Sequence, residues 1–207
     1  MLKSKEIANA LYEIEAIQIR PDRSFVWTSG IHSPIYCDNR LTMSYPKVRK
    51  QIVEQFAEII NGMDEKPDVI AGCATAGIPH AAWLADYLDL PMVYVRSKPK
   101  GHGKGNQIEG KVEKGDKVIV IEDLISTGGS SIDSALVLQD VGAEVLSVIA
   151  IFSYGLNKAN NQFSDANIPF TTITNFDILA ETLVEKEEIT EAEKVDLLEW
   201  RDELGNN

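Results

Sequence analysis

The chain predicts an α/β fold, a central, largely parallel sheet flanked by helices. Apolar runs without strict alternation recur, such as VIVI at 118–121 and VLSVIAIF at 145–152. Such runs suit strands covered on both faces. Segments with helical periodicity separate them. The 207 residues, 44% of them hydrophobic, are enough for one large domain with an ordinary core.

Taken in order, Ser4 is placed to cap a first helix carrying Ile7, Leu11 and Ile14. Residues 21–40, PDRSFVWTSGIHSPIYCDNR, mix aromatics with Gly and Pro and predict short strands and turns. Pro46 opens a helix with Val48, Ile52, Phe56 and Ile59 on its apolar stripe. Strands are expected at 68–71, 92–95, 117–121, 145–152 and 170–174, and helices at 77–88 and 130–141. Residues 98–110 form a polar gap. The tail, TEAEKVDLLEWRDEL, begins with a capping box at Thr190 and Glu193, and Val195, Leu198 and Trp200 are its expected packing residues. With no repeat or clean linker, 1–207 is expected to be a single domain.

Acids outnumber bases 32 to 20, giving a formal charge of -12. That balance argues against a nucleic-acid partner and leaves room for a local basic site that takes a small anion. Cys37 and Cys73 form neither a disulfide framework nor a metal-ligand spacing. Acids interrupt the N-terminus where a signal peptide would be apolar, and no stretch is long enough for a membrane span. A soluble cytoplasmic protein without a membrane partner is expected.

The most informative stretch is VIVIEDLISTGGS, residues 118–130. An apolar strand leads into Glu122 and Asp123, then into Ser126, Thr127, Gly128, Gly129 and Ser130 ahead of a helix. In open α/β sheets ligands bind at the carboxyl ends of strands. Successive N–H groups at a helix start cradle a phosphate, and the hydroxyls add donors. Two carboxylates would repel a bare phosphate chain. They make sense as acceptors for ribose hydroxyls or as aids in placing a hydrated magnesium ion. The plain alternative is an ordinary βα loop with a Ser cap. No GK[ST] follows, so this is not a Walker A loop.

Two further segments carry chemistry. Arg96, Lys98, Lys100, His102 and Lys104 make a basic cluster, interleaved with Gly101, Gly103 and Gly105. A pliable basic loop can close over a polyanion and balance charge on a departing diphosphate, and an exposed hairpin is the bland reading. Small residues at 72–77 permit close backbone approach to an anion, or simply make a tight packing turn. Phe25, Trp27 and Tyr36 suit a pocket for a planar base, although Phe25 and Trp27 individually favour core packing. Arg40 is either a carboxylate partner or half of a structural salt bridge.

Segment 118–130 closely resembles the signature of type I phosphoribosyltransferases, enzymes that bind 5-phosphoribosyl 1-diphosphate (PRPP). SGIHSPIYCDNR at 29–40 is similar to the N-terminal motif of the orotate phosphoribosyltransferase family. GCATAGIP at 72–79 looks like that family's pyrophosphate loop, and RSKPKGHGKGNQIEG at 96–110 like its mobile catalytic loop. The resemblance covers roughly residues 20–180 and is strongest to members from Gram-positive bacteria.

The resemblance implies a type I phosphoribosyltransferase fold with a small hood-like region over 1–40 and a mobile loop at 96–110. It implies transfer of phosphoribose from PRPP to orotate, giving orotidine 5'-phosphate and pyrophosphate, with Mg2+ as cofactor. No protein metal ligand is assigned. It also implies a homodimer in which the loop reaches the neighbouring subunit's site. Arg96, Lys100 and His102 match positions that contact PRPP, with Lys100, His102 and Asp123 the expected catalytic residues. Glu122, Asp123, Leu124, Ile125, Ser126, Thr127, Gly128, Gly129 and Ser130 are the expected substrate-binding run, and Phe25, Ser126 and Tyr154 are base-binding candidates. The chain departs from many members at Ala76 and Ser97, where they carry Lys. Thr28 and Tyr154 stand where enteric-type members carry Lys and a base-binding Arg. Transfer to another base and a PRPP-sensing regulator are the competing readings. The 29–40 motif weighs against the first and the basic loop against the second.

Overall fold

The computed structural model describes residues 2–26, 32–98 and 107–205. Its centre is a six-stranded sheet. The strands are β5 (Val69–Cys73), β6 (Met92–Val95), β7 (Ile108–Glu109), β8 (Lys117–Ile125), β9 (Glu144–Ser153) and β10 (Phe170–Asn175), in the order β10-β9-β8-β5-β6-β7. All pairs are parallel except β6 with β7. Both faces of β8 and β9 are buried, which explains why their sequences run apolar without alternation.

Helices cover both faces. On one side lie α1 (Leu2–Glu13), α2 (Pro46–Asn61), α3 (Gly77–Leu88) and α6 (Phe176–Glu185), sharing a core with Phe56, Leu84, Ile119 and Ile121. On the other lie α4 (Gly129–Asp140) and α5 (Asn157–Asp165), packed on Val118, Val120 and Val148. The last helix, α7 (Glu191–Gly205), starts with the expected capping box: Glu193 Oε2 accepts from Thr190 N at 2.7 Å, and Thr190 Oγ1 accepts from Glu193 N at 3.2 Å. Its buried packing residues are Leu197 and Trp200, with Leu198 packed partly buried against the same core, whereas Val195 is 52% exposed, contrary to expectation.

The N-terminal segment builds two small antiparallel ladders. One pairs β1 (Ile17–Ile19) with β4 (Ile35–Cys37), and the other pairs β2 (Phe25–Val26) with β3 (His32–Ser33). A 3-10 turn, Asn39–Ser44, follows β4 and reaches the carboxyl end of β8.

Sheet order decides where a ligand can enter. From β5 the chain crosses through α3 to β6. From its neighbour β8 it crosses through α4 to β9, in the opposite direction and over the opposite face. The strand order therefore reverses between β5 and β8, and a crevice opens beyond their carboxyl ends.

Candidate active site

That crevice holds a cleft of about 340 Å³, lined by Cys37, Asp38 and Arg40, by Ala74, Thr75 and Ala76, and by Glu122, Asp123, Leu124 and Ser130. Three of the segments singled out in the sequence meet there: the end of the 29–40 motif, the 72–77 turn and the 118–130 stretch. A second cleft of about 340 Å³ adjoins it, sharing Ala74 and Ser130 and lined beyond them by Arg96, Ser97, Gln107 and Asp133.

Strand β8 runs through Ile125, four residues past the expected end, because its backbone keeps pairing with β9 at Glu122–Ala150 and Leu124–Phe152. Glu122 and Asp123 therefore sit inside a ladder, where successive side chains leave opposite faces. Glu122, 5% exposed, accepts from its neighbour's N–H (Asp123 N to Oε1, 3.0 Å) and from the Ser130 hydroxyl (to Oε2, 3.2 Å). Burial pushes its carboxyl up to about 8, with the adjacent Asp123 charge acting in the same sense. Burial also raises Asp123, while Arg40 draws it back. Beneath Glu122 lies Cys73, its thiol 3.2 Å from the Ser134 hydroxyl and held well above the usual thiol range by burial. An inert buried thiol results.

The turn after β8 has the expected form. Gly128 adopts φ 89°, and a Cβ there would lie 2.6 Å from the Phe163 ring. Helix α4 has no side-chain cap, and a Cβ on Gly129 would meet nothing within 4 Å. The Ser126 and Thr127 hydroxyls have no partner among the described residues, nor do the N–H groups of residues 126–128. The result is a helix start with free donors beside open space, the kind of arrangement that can take an anion. Ser130 differs from expectation, since its hydroxyl is turned to Glu122.

In the 72–77 turn, the two glycines answer to packing rather than to a ligand. A Cβ on Gly77 would fall 2.3 Å from the Ile121 carbonyl oxygen, and one on Gly72 would fall 3.0 Å from Ile78 Cα. These contacts press α3 against β5 and β8. Residues 74–76 between them face the cleft, and the Ala74–Thr75 peptide is cis.

Arg40 forms the structural salt bridge: Nε and Nη2 meet the two Asp38 oxygens at 2.6 and 2.8 Å, holding the Asp38 carboxyl below the usual carboxylate range. Arg96 pairs with Glu109 at 3.2 Å in the adjoining cleft, at the base of the β6–β7 hairpin. Lys100 and His102 lie outside the described residues, as do Trp27 and Thr28.

Phe25 belongs to neither buried core cluster, contrary to the packing expectation. Its ring lies 5.9 Å from that of Tyr36, with the Arg20 guanidinium 4.7 Å above it. Tyr154 is 6% exposed, and Phe152 meets its ring edge-on at 5.8 Å. Burial raises its phenol, and Cys37, Asp123 and Tyr36 act in the same sense from nearby. Tyr154 thus stands between the N-terminal ladders and the end of β8.

Two buried residues near the site escaped the sequence reading. Asn39 donates from Nδ2 to the Asp123 carbonyl at 2.7 Å. Arg201 of α7 donates to the Tyr154 carbonyl at 3.3 Å and to Asp177 at 2.9 Å.

Comparison with known proteins matches this arrangement. The family described as "Phosphoribosyl transferase domain" matches residues 45–178. Orotate phosphoribosyltransferase of Oceanobacillus iheyensis is 60% identical over 97% of this chain and 100% of its own length. That of Fusobacterium nucleatum is 59% identical over 97% of this chain and 96% of its own. The chain belongs to the orotate phosphoribosyltransferase family. Solved structures agree with that membership. The orotate phosphoribosyltransferase of Aeropyrum pernix superposes with a TM-score of 0.73 at 29% identity, covering 88% of this chain and 98% of that one. UMP synthase of Leishmania donovani gives 0.79 at 27% identity, covering 96% of this chain and 42% of that longer one. The type I fold of this family is the one described above, with its small N-terminal region preceding the sheet.

Proposed function

We propose that this orotate phosphoribosyltransferase family member transfers the phosphoribosyl group of PRPP to orotate, releasing pyrophosphate and forming orotidine 5'-phosphate. The observation that carries this reading is the crevice at the strand reversal, where paired acids and an uncapped helix start stand side by side. The free donors of 126–129 take the 5'-phosphate. Asp123, with Glu122 behind it, accepts from the ribose hydroxyls and sets C1 toward the base. The C1–oxygen bond to the diphosphate breaks, and the electron pair leaves with pyrophosphate. The deprotonated ring nitrogen of orotate then forms the new bond at C1. The chain contributes alignment and charge stabilisation rather than a proton relay.

Mg2+ fits this site as part of the substrate. Glu122 and Asp123 are hard oxygen donors, yet no group of three or more metal-ligating side chains gathers among the described residues. Glu122 and Asp123 would steady such an ion through its water rather than enclose it, and it would supply positive charge for the departing diphosphate.

Residues 96–110 are the proposed closing loop, with Lys100 and His102 over the diphosphate and Arg96 at its root. The N-terminal ladders are the proposed hood over the base, with Phe25, Tyr36 and Tyr154 about its ring and Ser126 as a polar contact. Around them, Arg40 pairs with Asp38 and Arg23 with Asp196, while Arg20 has no carboxylate partner among the described residues. Arg20 is the proposed cation for the orotate carboxylate. A homodimer fits the exposed Leu41, Met43 and Tyr45, which follow directly on cleft-lining Arg40. We place the protein in the cytoplasm; no helix of the described residues is long and apolar enough to cross a membrane.

The test is the loss of orotate absorbance on adding PRPP and magnesium. Loss of absorbance with stoichiometric pyrophosphate supports the reading. No change with orotate while another base is consumed would assign a different acceptor. For the shared site, verified heterodimers of a Lys100→Ala chain and a Gly129→Val chain recover activity if the loop crosses between subunits.

A further inference from the structure

The 3-10 turn Asn39–Ser44 is held by a buried polar chain that the transfer reaction does not use. Asn39 is 1% exposed, and its Nδ2 donates to the main-chain carbonyl of Asp123 across 84 residues of sequence at 2.7 Å. Behind it, Thr42 Oγ1 donates to the Asn39 carbonyl at 2.6 Å. Thr42 has one hydroxyl proton, so the 3.3 Å contact from its oxygen to His80 Nε2 makes the histidine the donor. His80 belongs to α3 and is also 1% exposed. The Asn39 amide cannot be turned over, because its oxygen would then face the Asp123 carbonyl oxygen. Its own oxygen is left buried without a partner among the described residues. A buried unmet acceptor carries a cost, and it persists only where the other half of the amide is needed.

That other half grips the residue proposed to read the ribose. The Asp123 peptide is set differently from its strand neighbours: its N–H is turned to Glu122 Oε1 at 3.0 Å, and its carbonyl takes the Asn39 amide from outside the sheet. Asn39 also follows immediately on Asp38, whose side chain lines the cleft. We propose that Asn39 is a positioning residue: by holding the Asp123 carbonyl it fixes the direction of the Asp123 carboxylate and so sets PRPP affinity. This rests on the PRPP reading above. The Thr42–His80 part of the chain anchors the turn to α3, and neither residue lines the cleft.

The two halves are separated by substitution. Asn39→Ala removes the side-chain hydrogen bond to the Asp123 carbonyl and is expected to raise the PRPP dissociation constant about tenfold. Asn39→Asp, which sets a carboxylate oxygen against that carbonyl, raises it further. Thr42→Val removes a buried hydrogen bond of the same chain yet keeps it within about twofold. Titration calorimetry with PRPP and magnesium measures all three, alongside melting temperatures. Asn39 variants that bind PRPP like the parent, or Thr42→Val losing as much affinity as Asn39→Ala, would overturn the assignment. Should the Asn39 variants not fold, the carboxamide 15N–1H resonances of Asn39 in the unsubstituted protein decide: they shift on PRPP addition if the contact is coupled to the site and stay fixed if it is not. Failure of the unsubstituted protein to bind PRPP would instead count against the function proposed above.

Discussion

Glu122→Gln is expected to stabilise the empty protein while impairing it. The carboxyl is 5% exposed, next to Asp123, and its value rises from 4.5 to about 8. A group raised on folding contributes stability below its unfolded value and loses it as pH climbs through the folded one. At about 1.4 kcal/mol per unit, burying Glu122, which the unfolded chain ionises more readily, costs the fold roughly 1 kcal/mol at pH 5, about 3 at pH 7 and about 5 at pH 9. Glutamine has no charge to bury and can keep both hydrogen bonds, its oxygen accepting from Asp123 N–H and its amide donating to Ser130 Oγ. The variant should therefore gain on the parent progressively with pH. For a chain of this size, about 3 kcal/mol corresponds to a melting-temperature gain of roughly 10 °C at pH 7. Urea unfolding of both proteins at pH 5, 7 and 9, with PRPP affinity measured in parallel, is the assay. A stability difference independent of pH, or a variant less stable than the parent at pH 9, would refute the claim that the fold carries a strained carboxylate there.

Three other outcomes follow from the structure. Burial lowers His80 from 6.5 to about 4, so the unfolded chain takes up a proton that the folded one refuses. Stability is then lost as pH falls from about 6.5 toward 4, roughly 2 kcal/mol of it by pH 5, and His80→Gln should abolish that share in urea titrations. Gly77→Ala forces a methyl to within 2.3 Å of the Ile121 carbonyl oxygen, and a loss of about 2–3 kcal/mol with reduced PRPP affinity is expected. Arg20→Gln should raise the KM for orotate about tenfold and narrow the preference for orotate over uracil, which lacks the carboxylate, with the KM for PRPP unchanged; an unaltered orotate-to-uracil ratio would remove Arg20 from the base site.

Much of this was legible in the residues because two signals coincide there. The apolar runs of β8 and β9 and the glycines after β8 answer to packing and to turn geometry at once, so strand, turn and helix start could be placed together. Helix α3 was found at its observed bounds, and α4 only one residue late. Helix α5 was not, because NKANNQFSD buries only Ala159 and Phe163. Helix α6 was missed as well, although Asn175 caps it by accepting from Ile178 N–H at 3.0 Å, ahead of an apolar stripe. Strand β8 was read short because Glu122 and Asp123 look like a loop, whereas backbone pairing with β9 carries them into the ladder. Asn39 and Arg201 were invisible as site residues, since each acts on a main-chain carbonyl distant in sequence, Asp123 and Tyr154, and a carbonyl leaves no mark in a sequence.

The reversal of strand order between β5 and β8 has a consequence for how such a chain can vary. The two loops that floor the crevice belong to separate crossovers, one through α3 and one through α4, on opposite faces of the sheet. Each is tensioned by its own helix. Substitutions in the 74–76 loop therefore act first on α3, and those in the turn at 126–130 on α4, with Gly77 against Ile121 the place where the two meet. The half proposed to read the sugar phosphate and the half proposed to face the departing group thus hang from different helices on different faces of one sheet.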